Sequence, residues 1–257
     1  MSKVIAVFNQ KGGVGKTTTN VNLSASIGKI GKKVLVLDLD PQGNTTSGYG
    51  IDKSSVESTI YEVMLDGLEM RNAILNTEFE NVDIVASATE LSGAEIELTT
   101  IENREFILKN AIETVKENYD YIFIDCPPSL GMLTINSLTA VDSVLIPIQC
   151  EYYALEGVSQ LMETIKLVKS RLNPDLDIQG VVLSMFDGRA NLSIQVVEEV
   201  KKYFKGSVYT TLIPRNVRLA EAPSHGKPVL YYDARCRGSE AYMELAEEFI
   251  GLEEDVI

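Results

Sequence analysis

Gln10-Lys11-Gly12-Gly13-Val14-Gly15-Lys16-Thr17-Thr18 is the stretch of this sequence that decides its fold. It follows an apolar run over residues 4–8 and precedes a helical pattern over residues 18–29. Glycines let consecutive backbone N–H groups converge on phosphate oxygens at the positive end of the following helix. A strand, a glycine-rich turn and a helix in this order therefore predict a phosphate-binding loop.

Two side chains at the end of this loop have predicted roles. Lys16 reaches the β- and γ-phosphates of a nucleotide, and the hydroxyl of Thr17 ligates Mg²⁺. The loop departs from the ordinary motif at one position, because Gln10 stands where that motif begins with glycine, six residues before Lys16. A glycine-rich turn that binds nothing is the plainer alternative, and the correct order of strand, glycines, Lys-Thr and helix disfavours it.

Two aspartates follow residues 33–37, an almost continuously apolar segment that has the composition of a buried parallel strand. Asp38 and Asp40 occupy alternate positions of an extended segment, so their side chains point the same way. They lie at the carboxyl end of the strand, where open α/β sheets bind their ligands. One carboxylate could hold a water molecule of Mg²⁺ and the other could position the attacking water. The Asp-Pro and Gly-Asn pairs within residues 40–44 also mark ordinary turns.

A third carboxylate ends another apolar strand. Residues 121–124 are apolar, Asp125 follows them, and a Cys-Pro-Pro-Ser-Leu-Gly run occupies residues 126–131. This arrangement resembles a Walker B strand, whose aspartate holds Mg²⁺ through water beside the threonine of the phosphate loop. We therefore expect Asp125 to lie next to Thr17.

Strand and helix patterns alternate along the whole chain. This alternation predicts an α/β fold with a doubly wound, mainly parallel sheet and helices on both faces. No segment has the composition of a linker, so we expect a single domain over residues 1–257. Individual predictions include one helix over residues 54–76, a strand-to-helix loop over residues 149–157, and a last strand over residues 208–213.

Composition limits the class of protein. Apolar residues make up 45% of the chain and charged residues 23%, which is ordinary globular usage. No run of 18 apolar residues occurs, and no basic stretch precedes a hydrophobic one at the start. Cys126, Cys150 and Cys236 are widely spaced and form no CxxC pair. We therefore expect a cytoplasmic protein without disulfide bonds or membrane spans.

Charge is distributed unevenly along the chain. The formal net charge is −14, but residues 189–237 contain nine Lys or Arg against four Asp or Glu. Residues 238–257 contain seven acidic residues and no basic one, so anionic lipid would repel this end of the chain. Together with the family resemblance given below, this local excess of cations makes Arg189 and Arg218 the best candidates for contacts with DNA phosphates. Solvated surface charge is the plainer alternative, because basic residues on amphipathic helices usually face water.

The sequence resembles the ParA and Soj chromosome and plasmid partitioning ATPases, a family that also includes MinD and the nitrogenase iron protein. The resemblance covers residues 4–249 and implies a P-loop NTPase of the deviant Walker A class, without an amino-terminal DNA-reading domain. It rests on separated motifs, which are Lys11-Gly12-Gly13-Val14-Gly15-Lys16-Thr17, Asp125-Cys126-Pro127-Pro128-Ser129-Leu130-Gly131, Pro214-Arg215-Asn216 and Glu221-Ala222-Pro223-Ser224-His225-Gly226-Lys227-Pro228.

The family's functional residues have counterparts in this chain. Lys11 matches the early lysine that reaches across a dimer interface to the partner's nucleotide. Asp40 matches a residue that serves hydrolysis, and Pro214 and Asn216 match residues that flank the nucleotide base. The resemblance thus implies ATP and Mg²⁺ as cofactors, with Lys11, Lys16 and Asp40 as catalytic residues. The implied nucleotide-binding residues are Lys11, Gly12, Gly13, Val14, Gly15, Lys16, Thr17, Thr18, Pro214 and Asn216, and the implied metal-site residues are Thr17, Asp38 and Asp125, the carboxylates through water.

The implied function is a slow, partner-stimulated ATPase that dimerises on ATP and binds DNA nonspecifically to drive chromosome or plasmid partitioning. Its implied partners are a second copy of this chain, double-stranded DNA and a centromere-binding protein of the ParB or Spo0J kind. Its implied location is the cytoplasm, in association with the nucleoid.

Two alternative functions remain open from the sequence. One is a MinD-like or polarity-type positioning ATPase that acts on protein partners without DNA. The other is a metal or iron–sulfur cluster carrier of the Mrp type, which the missing CxxC disfavours.

Overall fold

Eight mostly apolar segments form the strands of one sheet in the computed structural model, which describes residues 2–151 and 157–254. The strands are β1 (Lys3–Val7), β2 (Val34–Asp38), β3 (Ile74–Asn76), β4 (Val82–Val85), β5 (Tyr121–Asp125), β6 (Ser143–Gln149), β7 (Asp177–Phe186) and β8 (Val208–Pro214). Their order across the sheet is β3-β4-β2-β5-β1-β6-β7-β8. Every neighbouring pair is parallel except β3 with β4, so the predicted mainly parallel sheet is confirmed.

Helices connect the strands and cover the sheet. In the described ranges they are α1 (Lys16–Ile30), α2 (Asn44–Gly48), α3 (Ile60–Leu65), α4 (Met70–Ala73), α5 (Leu91–Glu97), α6 (Ile107–Glu113), α7 (Met132–Ala140), α8 (Val158–Arg171), α9 (Asn191–Phe204), α10 (Val217–Glu221), α11 (Val229–Tyr232) and α12 (Arg237–Glu254). Short 3-10 turns lie between several of them, including one over Ala222–His225.

The sheet separates two apolar cores. Along β1, Val4 and Ala6 pack into one core, whereas Ile5 and Val7 pack into the other. The first core also contains the buried faces of α3 to α9, and the second contains those of α1 and α10 to α12. Because side chains of a strand alternate between its faces, a strand that is buried on both faces must be apolar throughout. Helices on both faces were predicted from this pattern, and that prediction is confirmed.

The strand register brings three functional segments to one end of the sheet. β5 lies between β1 and β2, with Val7 opposite Asp125 on one side and Asp38 opposite Asp125 on the other. The phosphate loop follows β1 directly. All three strands are parallel, so their carboxyl ends meet at the same edge, which is where open α/β sheets bind ligands.

The single helix predicted over residues 54–76 is wrong. Thr59 begins α3 with a capping box, in which its side chain caps the helix and Glu62 bonds back to the Thr59 backbone. The helix ends after Leu65, and Gly67 then takes a φ of +70° that helical residues do not adopt. After the short α4, the chain forms β3 and pairs antiparallel with β4. The prediction of one helix followed the periodic apolar residues and overlooked the interruption at the glycine.

The predicted loop over residues 149–157 lies largely outside the described residues. The last helix, α12, has 18 residues, with Tyr242, Leu245 and Phe249 on its buried face. Glu248 on this helix accepts hydrogen bonds from the backbone N–H groups of Thr210 and Thr211 at 2.7 and 3.0 Å, along the outer edge of β8. None of the helices in the described ranges combines the length and apolar character needed to cross a membrane.

Candidate functional site

The phosphate loop connects β1 to α1 and leaves open space in front of its glycines. Gly13 and Gly15 have φ angles of +75° and +91°, a left-handed conformation that side chains with a Cβ rarely adopt. A Cβ added at Gly12 or Gly13 would meet no atom within 4 Å. This open, glycine-lined concavity at the start of a 15-residue helix fits a phosphate group.

Lys16 is buried beneath this loop. Its Nζ donates to the backbone oxygen of Lys11 at 3.3 Å. Burial lowers the pKa of Lys16, whereas the nearby acidic groups of Asp125, Cys126 and Asp40 act in the opposite direction. Lys16 therefore places an ammonium group next to the carboxylates of the site, while Gly12 is exposed and Lys11 is partly exposed.

Two side chains outside the helix fix the loop in place. Gln10, the departure from the ordinary motif, donates through Nε2 to Thr164 Oγ1 on α8 at 2.9 Å. Behind the loop, Ser184 Oγ on β7 donates to the backbone oxygen of Val14 at 2.8 Å. The residue that replaces glycine thus ties the loop to α8. No motif identifies Ser184, which in sequence is a serine inside an apolar strand.

Asp38 and Asp125 are buried side by side at the ends of β2 and β5. Asp125 Oδ2 accepts from Thr17 Oγ1 and from Thr45 Oγ1, each at 2.8 Å. Asp38 Oδ2 accepts from the backbone nitrogen and the hydroxyl of Thr46, at 2.8 and 2.7 Å. The structure thus brings Thr17 and Asp125 into direct contact and places Asp38 beside them.

Burial raises the pKa of both carboxyl groups. The pKa of Asp38 rises to about 6, because burial outweighs the hydrogen bonds that it accepts from Thr46 and Asp40. The pKa of Asp125 rises to about 7, because burial and the charge of Asp38 together outweigh the hydrogen bonds from Thr45 and Thr17. Two adjacent carboxyl groups that resist ionisation are stabilised in their charged form by a cation.

The oxygen donors at this place fit Mg²⁺, which prefers oxygen ligands and usually keeps several waters beside one or two carboxylates. Asp125 Oδ1 is buried and has no hydrogen-bond partner among the described residues. The oxygens of Asp38 are already occupied, since Oδ1 accepts from the Asp40 backbone at 3.2 Å and Oδ2 accepts from Thr46. Asp125 with Thr17 is therefore the better-prepared metal site, and Asp38 lies next to it.

Asp40 lies in the loop between β2 and α2, and its side chain is partly exposed. Its Oδ1 accepts from the Gln42 backbone at 2.9 Å. Ser87, which follows β4, donates through Oγ to the backbone oxygen of Asp40 at 2.8 Å. A carboxylate on an anchored loop with access to solvent can hold a water molecule, which is the chemistry expected of Asp40.

A cavity of about 200 Å³ adjoins the phosphate loop. Met185 in its wall has a φ of +52°, and strained backbone of this kind collects at ligand sites. The cavity shares Gly15 with the loop and therefore lies directly beside the phosphate site, where a site for the base is expected. Pro214 and Asn216, the two residues expected at the base, both line it. The full lining is Gly15, Thr18, Ser184, Met185, Ile213, Pro214, Arg215, Asn216, Leu219, Ala220 and Tyr242.

Arg189 and Arg218 follow the carboxyl ends of the neighbouring strands β7 and β8, at the same end of the sheet as the phosphate loop. The Arg189 side chain is 91% exposed and bonds to both carboxylate oxygens of Asp187, at 3.0 and 2.9 Å. Arg218 pairs with Glu221 at 2.7 Å and with Asp233 at 3.2 Å. Exposed ion pairs of this kind are weak, so these partners reduce the available positive charge without removing it.

Cys126 and His225 belong to two of the motifs that carry the resemblance, and both are packed against other parts of the chain. Cys126 is buried, and burial raises the pKa of its thiol to about 12. A protonated thiol is a poor metal ligand. His225 stacks on Tyr232 with ring centroids 4.8 Å apart. Within residues 2–151 and 157–254, no three His, Cys, Asp or Glu side chains are grouped to hold a metal.

Besides Ser184, three residues of the site were not identified from the sequence. Thr45 and Thr46 contact the two buried carboxylates, and Ser87 donates its backbone N–H to Thr46 Oγ1 at 2.9 Å. Two threonines shortly after the Asp38 to Asp40 pair were the available signal for the first two. Ser87 offered a weaker one, since it follows the carboxyl end of a predicted strand.

Comparison with known proteins gives consistent relatives. The sequence profile of a family described as an AAA domain matches residues 2–178. Sporulation initiation inhibitor protein Soj of Bacillus subtilis is 61% identical over 248 residues, which are 96% of this chain and 98% of that protein. Chromosome partitioning protein ParA of Myxococcus xanthus is 52% identical over 250 residues, 97% of this chain and 88% of that protein. The crystal structure of cobyrinic acid a,c-diamide synthase from Mycobacterium smegmatis, with a bound ATP analogue and magnesium, has a TM-score of 0.85 and 36% identity and covers 96% of this chain and 93% of its own.

Proposed function

This chain belongs to the ParA/Soj family of chromosome partitioning ATPases, and we propose that ATP closes it into a homodimer that binds DNA nonspecifically. Slow hydrolysis, stimulated by a ParB-like partner, returns it to the open form and releases it from the nucleoid. The observation that carries this proposal is the Thr17 to Asp125 contact directly beside an open glycine loop. Arg189, in the turn after β7, and Arg218, on α10 after β8, lie at the same end of the sheet.

The phosphate loop would bind ATP through backbone N–H groups and the Lys16 ammonium. Bound Mg²⁺ would neutralise part of the phosphate charge, and Thr17 with Asp125 would hold it. The cavity beside Gly15 would receive the base, with Pro214 and Asn216 in its wall. The relative with a bound ATP analogue and magnesium supports this choice of ligand.

Positioning, rather than a strong base, would carry hydrolysis. Phosphoryl transfer needs little proton abstraction in its transition state, so an oriented water and compensated charge supply most of the catalysis. Asp40 would orient the attacking water from its anchored loop. Lys11, at the exposed mouth of the phosphate loop, would reach the nucleotide of the other protomer and make dimerisation depend on ATP.

Dimerisation would gate DNA binding by doubling the number of cations on one face. Nonspecific affinity for DNA rises steeply with the number of phosphates neutralised. In one protomer, Arg189 and Arg218 at the carboxyl end of the sheet each already have a carboxylate partner. Two protomers would bring four such arginines to one duplex.

Duplex DNA binding tests the proposal directly. The affinity would be measured with ATP, with ADP and without nucleotide, over a salt series, for the wild type, Lys16→Ala and the Arg189→Glu/Arg218→Glu double variant. We expect the wild type to bind DNA only when ATP is present, and its affinity to fall steeply as salt is raised. Both variants should lose DNA binding.

The same experiment separates the proposal from its alternative. If ATP drives dimerisation but no DNA binding is found at low salt, the chain acts instead as a MinD-like switch on protein partners. Binding that is equal with and without ATP would contradict the gating.

Hydrolysis has its own test in Asp40→Ala. Removal of this carboxylate leaves the phosphate loop intact, so ATP binding and dimerisation should persist. Turnover should fall at least about tenfold, because a water-orienting group is lost. Normal ATP turnover in this variant would contradict the role assigned to Asp40.

A further inference from the structure

We infer that Thr45 and Thr46 are positioning residues that hold the carboxylates of Asp125 and Asp38 in place for the metal ion of the bound nucleotide. This inference rests on the proposed use of these carboxylates with Mg²⁺ and nucleotide. The two threonines are consecutive, both are fully buried, and each donates its hydroxyl proton to a different aspartate.

Thr45 controls the rotamer of Asp125. Its hydroxyl donates to Oδ2, the same oxygen that accepts from Thr17, and both distances are 2.8 Å. On its other side, the Thr45 hydroxyl accepts from Asn20 Nδ2 at 3.4 Å, so its single proton is directed to Asp125. With Oδ2 held by two hydroxyls, Oδ1 is left as the oxygen without a partner in the described structure, and it is available to a metal-bound water.

Thr46 controls Asp38 in a different way. Asp38 Oδ2 accepts from the Thr46 backbone as well as from its hydroxyl, and Asp38 Oδ1 accepts from the Asp40 backbone. The Thr46 hydroxyl itself accepts from the Ser87 backbone at 2.9 Å. Asp38 therefore keeps two donors when this hydroxyl is removed, whereas Asp125 Oδ2 keeps only Thr17 when the Thr45 hydroxyl is removed.

These bonds are more than ordinary satisfaction of buried threonines. A threonine inside a helix usually bonds to a backbone carbonyl in the preceding turn of the same helix. Thr45 and Thr46 lie in the first turn of α2, which begins at Asn44, so no preceding turn of this helix offers them a carbonyl; their hydroxyls bond to carboxylates on two separate strands. α2 has five residues and no side-chain cap at Gly43, so it depends on contacts of this kind for its position.

Loss of a group that orients a metal-binding side chain typically weakens metal affinity 10- to 100-fold. Removal of the Thr45 hydroxyl lets the Asp125 carboxylate rotate and leaves the phosphate loop unchanged. The affinity for nucleotide should therefore fall only where Mg²⁺ contributes to it. A purely structural role would instead weaken binding equally with and without the metal.

The test is the dissociation constant for ADP, measured by calorimetry with excess Mg²⁺ and again with EDTA. The readout is the dissociation constant in EDTA divided by the dissociation constant in Mg²⁺, a ratio that measures how much the metal strengthens binding. We expect this ratio to fall about tenfold or more in Thr45→Val, by a smaller factor in Thr46→Val, and the EDTA value to stay within about twofold of the wild type. Thr45→Ser restores the hydroxyl and should restore the ratio.

Thr139→Val is the matched control. Thr139 is equally buried, lies on α7, and has a hydroxyl without a partner in the described structure, so its loss should leave the ratio unchanged. Thermal melting screens each variant for folding, and Thr45→Ala serves as the second variant if Thr45→Val does not fold.

Three results would overturn the inference: an unchanged ratio in the folded Thr45 variant, an equal loss with Mg²⁺ and with EDTA, or a Thr45→Ser variant that behaves like Thr45→Val. A wild-type protein that binds no ADP, or binds it without any effect of Mg²⁺, would contradict the proposed function as well. The two failures are therefore distinguishable.

Discussion

Asp125 combines burial, two hydroxyl donors and a neighbouring acid in one side chain. Burial and the charge of Asp38 raise its pKa to about 7, from an ordinary value near 3.8. In the unfolded chain this carboxyl ionises at its ordinary pKa, so folding opposes ionisation. The protein without nucleotide is therefore less stable at neutral pH, because ionisation of a carboxyl group that could bind a cation is unfavourable in the folded state. This trade-off is common at functional sites.

Asp125→Asn should stabilise the nucleotide-free protein as pH rises. Because the folded pKa is raised, the stability that protonated Asp125 contributes is complete below about pH 4 and is lost as pH rises through about 7. Each unit between the two pKa values corresponds to at most about 1.4 kcal/mol. The asparagine cannot ionise, so the free energy of unfolding of the variant should exceed that of the wild type by at least about 1 kcal/mol more at pH 7 than at pH 5.

Urea unfolding in EDTA at several pH values measures this difference. The gap between variant and wild type should widen from about pH 4 to 7 and level off above it. A gap that is constant over this range would show that ionisation of Asp125 costs the folded protein nothing.

At the scale of residues, the sequence predicted the acids but not the groups that hold them. Asp38, Asp40 and Asp125 were predictable because each ends or follows a continuous apolar run. Thr45 was not, since its role depends on α2 lying across the end of β5. The Asp233 partner of Arg218 was equally hidden, because Asp233 reaches it from a separate turn.

At the scale of elements, strands were predicted better than short helices. A buried parallel strand is a run of apolar residues that carries its own signal, as in β2 and β5. Helix α2 has five residues, too few for a periodic pattern, and begins after a glycine. Strand β3 has three residues and follows a helix directly, so its antiparallel pairing with β4 had no signal in the local sequence.

Glu248→Ala should uncover the outer edge of β8. This carboxylate accepts from the backbone and the hydroxyl of Thr210 and of Thr211, four bonds in all, at 2.7 to 3.0 Å. Exposed N–H groups on an edge strand invite pairing with another chain. We expect the free energy of unfolding to fall by about 1 kcal/mol and self-association to increase on heating.

Glu247→Ala is the control for this prediction. Glu247 is exposed on the same helix, and its removal changes the charge and helix propensity equally without touching β8. Denaturant unfolding and light scattering would compare the two variants. Equal behaviour would mean that Glu248 does not protect the edge.

At the scale of the whole molecule, the net negative charge of the chain disfavours binding to DNA, the proposed partner. The chain carries −14 overall, and DNA is a dense anion, so binding must depend on the local excess of cations over residues 189–237. Within that segment Arg218 is held by Glu221 and Asp233. The carboxylates therefore set how much positive potential is available.

Asp233→Asn should increase the affinity for DNA in the presence of ATP. It frees the Nε side of Arg218, which is 3.2 Å from Asp233, to contact a phosphate. We expect affinity at low salt to rise severalfold, and the slope against log salt to steepen by up to about 0.9 per protomer. The measurement is the same salt series used for the wild type.

Asp175→Asn is the control for the charge itself. It removes one carboxylate two residues before β7, at the opposite end of the sheet. This variant should bind DNA nearly as the wild type does, because screening removes distant charge effects. If both variants gain equally, net charge rather than release of Arg218 is the cause.

The central position of β1 also determines when the chain can fold. β1 pairs with β5 on one side and with β6 on the other, and residue 3 lies opposite residue 121. Neither set of backbone hydrogen bonds can therefore form until β5 has been synthesised. Contacts so distant in sequence make folding slow. While the ribosome is still making residues 8 to 120, the apolar β1 has no strand beside it, and unpaired apolar strands of this kind are prone to aggregation. The phosphate loop is synthesised early, but it therefore reaches its folded position late.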